Sequence, residues 1–403
     1  MAVTRTVVVA GAGIGGLTAS LALAAKGFRV VILEKAQRLE EVGAGLQLSP
    51  NASSILVGLG LGPRLAAHAV TPEAISINSA RAGGEIARLP LGEAASTRAG
   101  SPYWVMHRAD LQRALHAEVE DHPDIELRLG WRFEDVADHA SGLTVAARCG
   151  DAQHDEPAVA LIGADGIWSS VRGRLFPELR PRFSGLIAWR GTVDAKALPR
   201  EFASPLVRLW MGPNAHLVAY PIAAARRINV VAIVPGTWNR PGWSEAGDAG
   251  EIRNAFSDGW PDTARTLIDA VDEWRRWALS TMPEVSEWSR GAVALLGDAV
   301  HGMLPFAAQG AGMAVEDAAV LADCLSGCTG EDISGVPDAL KRYTRLRRGR
   351  VDRVCRTAQR QGRIYHLTGP MALARDLVIR SMAPQRMLAR QNWIYDWRVG
   401  SPR

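Results

Sequence analysis

A short apolar run, Thr6–Ala10 (TVVVA), passes directly into GAGIGG, and this junction constrains the fold more than any other stretch. A β-branched run bounded by glycine reads as a buried parallel strand. Gly11, Gly13 and Gly16 carry the G-x-G-x-x-G spacing, and LTASLALAAKG after them reads as a helix stopped by Gly27. FRVVILEK is the next strand, ending in Glu34, 18 residues beyond Gly16. In such a unit the first glycine permits the tight turn, the second lets backbone approach a pyrophosphate, and the third lets helix pack on strand. The helix amino terminus, with Ile14 and Gly15, offers N–H groups to phosphate. Glu34, followed by Lys35, is placed to accept from ribose hydroxyls, which disfavours a 2′-phosphate in this site. The unit is a dinucleotide site, and the motif alone does not choose between FAD and NAD.

The rest of the composition is that of a globular protein: 403 residues, 47% hydrophobic, 22% charged. The net charge of +4 is spread along the chain, so it points to small anions rather than nucleic acid. Cys149, Cys324, Cys328 and Cys355 form no C-x-x-C pair and have no histidine at metal spacing. They read as packing residues of a reduced, cytoplasmic protein, with no metal expected. No apolar run has the length of a spanning helix, so no membrane association is expected.

Two later stretches extend the dinucleotide reading. LIGADGIWSSVRGRL, residues 161–175, contains Asp165 and Gly166. VALLGDAVHGMLPFAAQGAGMAVEDAAVLADCL, residues 293–325, places Asp298 at a strand end, then Pro305, then Gly310, Ala311 and Gly312 before a helix. Between them, PRFSGLIAWRGTV and PLVRLWMGPNAHLVAYPIAAARRINVVAIVP alternate apolar and polar residues. That pattern predicts an antiparallel sheet with one face covered. No second complete G-x-G-x-x-G follows, so no separate NAD(P)H domain is expected.

Together, GAGIGG, DGIWSSVR and LLGDAVHGMLP resemble the group A flavoprotein monooxygenases, the para-hydroxybenzoate hydroxylase superfamily. EVGAGLQLSPNA, HRADLQRAL, LIAWRG, YTRLRRGRVDRV and RIYHLTGP are similar to its salicylate hydroxylase and 6-hydroxynicotinate monooxygenase branch. The resemblance runs from the first strand to near the carboxyl terminus. It implies an α/β fold: a Rossmann-type, glutathione-reductase-like FAD-binding domain interleaved with an antiparallel-sheet substrate domain, plus C-terminal helices. The expected boundaries are 1–70, 101–178 and 286–330 for the first, 71–100 and 179–285 for the second, and 331–403 for the helices.

The resemblance also implies roles. FAD would be tightly bound, with NADH or NADPH as a transient co-substrate. Gly11, Gly13 and Gly16 would hold the pyrophosphate, Glu34 the adenosine ribose, Arg108 and Gln112 the phosphate or ribityl region, and Asp298 a ribityl hydroxyl. Gly45, Asp165, Gly166 and Pro305 would complete the cofactor site, and Gly310, Ala311 and Gly312 would present N–H groups to the flavin ring. His216, Val218 and Tyr220 share one strand face. His216 and Tyr220 are the catalytic candidates, to orient or deprotonate a phenol. Gln47, Trp189, Arg190 and Phe306 are the substrate-binding candidates; His301 is expected to pack. Gln47 and the Phe306 region lack the histidines usual in 6-hydroxynicotinate enzymes, which argues against that substrate.

The expected activity is hydroxylation of a small hydroxyaromatic acid by dioxygen through a flavin C4a-hydroperoxide, on a salicylate-like substrate, with loss of carbon dioxide where the attacked carbon bears the carboxyl. Other substrates in view are 3-hydroxybenzoate, 6-hydroxynicotinate, or a polyketide or alkaloid; a flavoprotein without hydroxylase activity is the alternative of a different class. A monomer or homodimer is expected. The arginine-rich stretch 343–363 reads as an amphipathic helix burying Leu346, Val351, Val354 and Cys355, not as a nucleic-acid arm.

Overall fold

The computed structural model describes residues 5–39, 45–81, 83–92, 99–140, 142–239, 242–328 and 334–400. Residues 41–44 of EVGAGLQLSPNA, and 331–333 and 401–403 of the carboxyl-terminal region, lie outside the described residues.

The first strand, Thr6–Ala10, is buried throughout and pairs in parallel with Arg29–Glu34 on one side and Ala160–Gly163 on the other. Ile125–Leu129 joins one edge; Val293–Leu295 and then Ser289–Arg290 extend the other, making six strands. Helix Ile14–Ala24 is buried on nearly every side, because Gly310–Leu325 packs over it. A helix with apolar residues all round is the one a two-sided core selects.

The sheet predicted to be antiparallel has eight strands in the order Ser244–Gly247, Trp274–Thr281, Arg182–Asp194, Arg227–Pro235, Ala215–Ile222, Leu206–Gly212, Ala74–Ser79 and Gly84–Pro90, and it is mixed, because Leu206–Gly212 pairs in parallel with Ala74–Ser79. The expectation of one covered face is corrected: Leu206–Gly212 is buried at every position. Helices Ala249–Ala255 and Asp262–Asp269 close one face over Trp210, Phe256, Trp260 and Trp274. The other face meets the first sheet's loops and the C-terminal helices.

Helix Val336–Tyr365 runs for 30 residues and buries Tyr343, Arg347, Val351, Val354, Ala358 and Gly362. That stripe follows the helical period from Tyr343, and Leu346 falls outside it, 39% exposed, contrary to its expected burial. Among the described residues no helix is long and apolar enough to cross a membrane.

Candidate active site

The first turn fits a pyrophosphate. Gly11 has φ +103°, and a Cβ there would lie 2.6 Å from the Ala164 carbonyl oxygen. A Cβ at Gly16 would lie 1.9 Å from the Gly11 carbonyl oxygen, so helix and strand touch through backbone alone. Gly13 differs: nothing stands within 4 Å of where its Cβ would be. Its open side faces a slot of about 300 Å³ at the amino terminus of helix Ile14–Ala24. Glu34 sits at the end of the second strand, where its carboxylate accepts from the N–H groups of Ala12 (2.8 Å) and Ala36 (2.9 Å). Lys35 is exposed beside it.

The slot runs from Gly13, Ile14 and Gly15 past Arg108, Gly166 and Asp298 to Pro305, Gly310 and Ala311. Gly45 and Gln47 form its other wall with Arg190, His216, Val218 and Tyr220. Residues nearly three hundred positions apart are thus brought to one groove. Gln112 lies outside the lining but donates to the Ala12 carbonyl at 3.3 Å, bracing the glycine loop. Gly312 falls between Ala311 and Ala314, which line the slot, and a Cβ there would lie 3.0 Å from Gln309 Oε1. Asp165 is turned away. Its Oδ2 accepts from the N–H groups of Ser170 and Val171, capping the next helix, and burial raises its pKa.

The sheet register explains which substrate candidates meet. Arg190, Val231, Val218, Leu209 and Ile77 stand directly opposite one another across five strands. One face therefore carries Arg190, Val231 and Val218 into the slot, and Val218, Leu209 and Ile77 into a second cavity of about 550 Å³. Gln47, His216, Val218, Pro305 and Ala308 line both. Trp189 has the opposite pleat. It packs on Trp274 at 6.4 Å and lies within the core behind the sheet. Phe306 lines the second cavity, with its ring 5.2 Å from His216.

Several groups here are held away from their ordinary titration. Burial, and secondarily His366, push His216 well below the usual histidine range. Burial raises Tyr220 and outweighs the opposing pull of Arg190. Arg190 is itself lowered by burial, and its Nε is buried without a hydrogen-bond partner. A desolvated guanidinium lacking a counter-charge is a ready receptor for an anion. Tyr103 donates to Gln47 Oε1 at 2.7 Å, fixing that amide at the junction of the cavities.

Behind the wall of the slot formed by Gly297 and Asp298 lies a buried polar network that the sequence did not disclose. Asp317 Oδ2 accepts from Gly297 N–H at 3.2 Å and meets His301 Nε2 at 2.5 Å. Arg347 spans Glu316 and Asp317, each at 2.7 Å, and Arg350 joins Glu316. Gln309 links Ser49 (2.8 Å) and Asn51 (3.2 Å), and Asn51 reaches Glu316 (2.6 Å). His301 is thus a packing residue hydrogen-bonded to Asp317, and its backbone N–H donates to the Gly297 carbonyl, holding the loop where φ is +62°. Sequence reading also missed Val231, Ile233 and Met303 in the slot; strand alternation in RINVVAIVP carried the signal for the first two.

Known proteins share this chain's sequence pattern and fold. Residues 4–358 match the family described as FAD binding domain. The chain is 35% identical over 395 residues to 3-hydroxybenzoate 6-hydroxylase of Polaromonas naphthalenivorans, covering 98% of this chain and 96% of that one. It is 38% identical over 391 residues to 3-amino-4-hydroxybenzoate 2-monooxygenase PtmB3 of Streptomyces platensis, covering 96% and 95%. A salicylate hydroxylase substrate complex superposes with a TM-score of 0.83 at 25% identity, covering 99% of this chain and 97% of that one. The chain belongs to the FAD-binding family of group A aromatic monooxygenases, and is a flavin monooxygenase.

Proposed function

We propose that this enzyme hydroxylates the ring of a small hydroxybenzoate-type acid, using NADH or NADPH and dioxygen. His216 carries the reading: a buried, neutral imidazole on the sheet face where the slot meets the second cavity. Bound FAD supplies the two-electron redox chemistry and activates dioxygen. The chain's residues do the rest. His216 accepts the phenolic proton, making the ring more nucleophilic. Arg190 holds the substrate carboxylate, which supplies the anion its desolvated guanidinium lacks. Tyr220 and Gln47 orient the ring, and the apolar wall of Val218, Val231 and Ile233 excludes water. Asp298 and the backbone of Gly310 and Ala311 hold the cofactor.

The two relatives above act, by name, on hydroxybenzoates and are 35% and 38% identical, against 32% for a salicylate hydroxylase of Pseudomonas putida. This favours 3-hydroxybenzoate or an amino-substituted relative over the salicylate-like, decarboxylating substrate that the motifs alone favoured. The test is NADH and NADPH oxidation with 3-hydroxybenzoate, 3-amino-4-hydroxybenzoate and salicylate, with products identified by mass. The expected result is ring-hydroxylated acid that retains its carboxyl; carbon dioxide release from salicylate as the preferred reaction would overturn the substrate assignment.

A further inference from the structure

His216 is not alone. Its Nδ1 lies 2.8 Å from Nε2 of His366, 150 residues later at the carboxyl end of helix Val336–Tyr365. The two rings sit 5.0 Å apart, enclosed by Phe306 at 5.2 Å and Tyr365 at 5.4 Å from His216. The backbone fixes both members. His366 N–H donates to the Gly362 carbonyl at 3.2 Å, and its own carbonyl accepts from Asn214 N–H at 3.3 Å. Asn214 is two residues before His216, so helix end and strand are tied at the pair. His216 is 2% exposed, whereas His366 is only partly buried. His216 Nδ1 is engaged by His366, which leaves Nε2 for the cavities that His216 lines.

We infer that His366 is the outward member of a two-histidine proton relay that links the substrate hydroxyl, through His216, to solvent. This rests on the reading of His216 as the base. In the resting tautomer His216 carries hydrogen on Nδ1 and donates it to His366 Nε2. The phenol O–H bond breaks and its proton goes to His216 Nε2. The Nδ1 hydrogen moves to His366 Nε2, and the hydrogen on His366 Nδ1 leaves to water. The phenolate then stands beside a neutral pair. A proton returning at His366 Nδ1 runs the chain backwards, protonates the product oxygen and restores the first tautomer. One proton leaves and one returns in each turnover.

Neutrality of the pair is what makes the second ring useful. A base that kept the proton would place a charge on the most buried member, where desolvation opposes it. No carboxylate contributes to either ring's titration. Arg375, paired with Asp376, donates to the carbonyls of Ile364 and Tyr365, just before His366, and so holds the helix end in place.

The experiment uses FAD-loaded enzyme and 3-hydroxybenzoate, comparing His366→Gln, His366→Ala and His216→Gln. Two readouts are taken: kcat against KM, and the ultraviolet phenol-to-phenolate difference spectrum of bound 3-hydroxybenzoate between pH 6 and 9. The expected result is a fall of at least about tenfold in kcat for both His366 variants with KM within about twofold, and phenolate appearing only at higher pH. Added imidazole should restore His366→Ala. If both His366 variants keep kcat and the phenolate spectrum while His216→Gln loses them, the relay is wrong and the base reading stands. If kcat falls but the spectrum and its pH dependence do not move, and imidazole restores nothing, His366 only braces the fold and the relay is overturned. If His216→Gln itself keeps full activity, the base reading fails and the relay with it.

Discussion

Arg347→Met tests the buried network of Glu316, Asp317 and Arg347. Arg347 is 1% exposed and Glu316 and Asp317 are both 0% exposed, so each charge depends on its partners. Despite burial, which opposes it, Glu316 and Asp317 raise the Arg347 pKa. With Arg350, the intact cluster pairs two guanidinium groups with two carboxylates; methionine keeps the packing on Trp397, whose ring lies 5.0 Å from the guanidinium, but leaves Asp317 without its guanidinium, since Arg350 pairs with Glu316. Stranding a buried charge in this way costs about 3–5 kcal/mol. For 403 residues at about 2.1 cal/mol/K each, that is a fall in Tm of about 4–6 °C in a thermal scan at fixed FAD concentration. Asp317 also holds Gly297, the neighbour of Asp298, so FAD affinity should fall with stability. Arg347→Met with Asp317→Asn restores charge balance and keeps a polar partner for His301. A double-mutant cycle should recover about 1–3 kcal/mol. The reasoning is refuted if the single variant melts with wild type, or if the double variant is less stable than the sum of the two singles.

Other outcomes follow from the same structure. Gly16→Ala places a methyl where only 1.9 Å separates it from the Gly11 carbonyl, so the protein should purify without flavin colour. Arg190→Met should raise the KM for the aromatic acid about 10- to 100-fold, from loss of one charge-assisted hydrogen bond, yet leave Tm unchanged or higher because it removes a partly buried cation whose Nε has no hydrogen-bond partner. His366 is held down to about 4 by burial and His216 lies well below its ordinary value, while the unfolded chain protonates both near 6.5. The unfolded state therefore binds more protons across that window, so stability falls as pH drops from about 6.5 to 4 and is level above it. His366→Gln should flatten the Tm–pH curve there.

Much of this was legible in sequence because it depends on local pattern. GAGIGG between a strand and a helix, with Glu34 after the second strand, specifies the phosphate end through backbone geometry alone. The period-2 alternation of AHLVAYPI put His216, Val218 and Tyr220 on one face, and the structure sets all three in the slot. Alternation does not reveal which face is which. Trp189 and Arg190 are neighbours of opposite pleat, and only the register across five strands decides that Arg190 enters the site. The partners of Arg347 and His366 lie far away in sequence, and nothing local marks a pair as buried. Leu346 shows the same limit: its spacing suited the stripe, but the stripe is phased from Tyr343.

The most direct test of the account is turnover under heavy-isotope dioxygen with 3-hydroxybenzoate and NADH or NADPH. The account predicts pyridine-nucleotide oxidation stimulated by the aromatic acid, and a ring-hydroxylated acid carrying one labelled oxygen. Oxidation that yields no labelled aromatic product with any hydroxybenzoate, or product oxygen drawn from water, would contradict it.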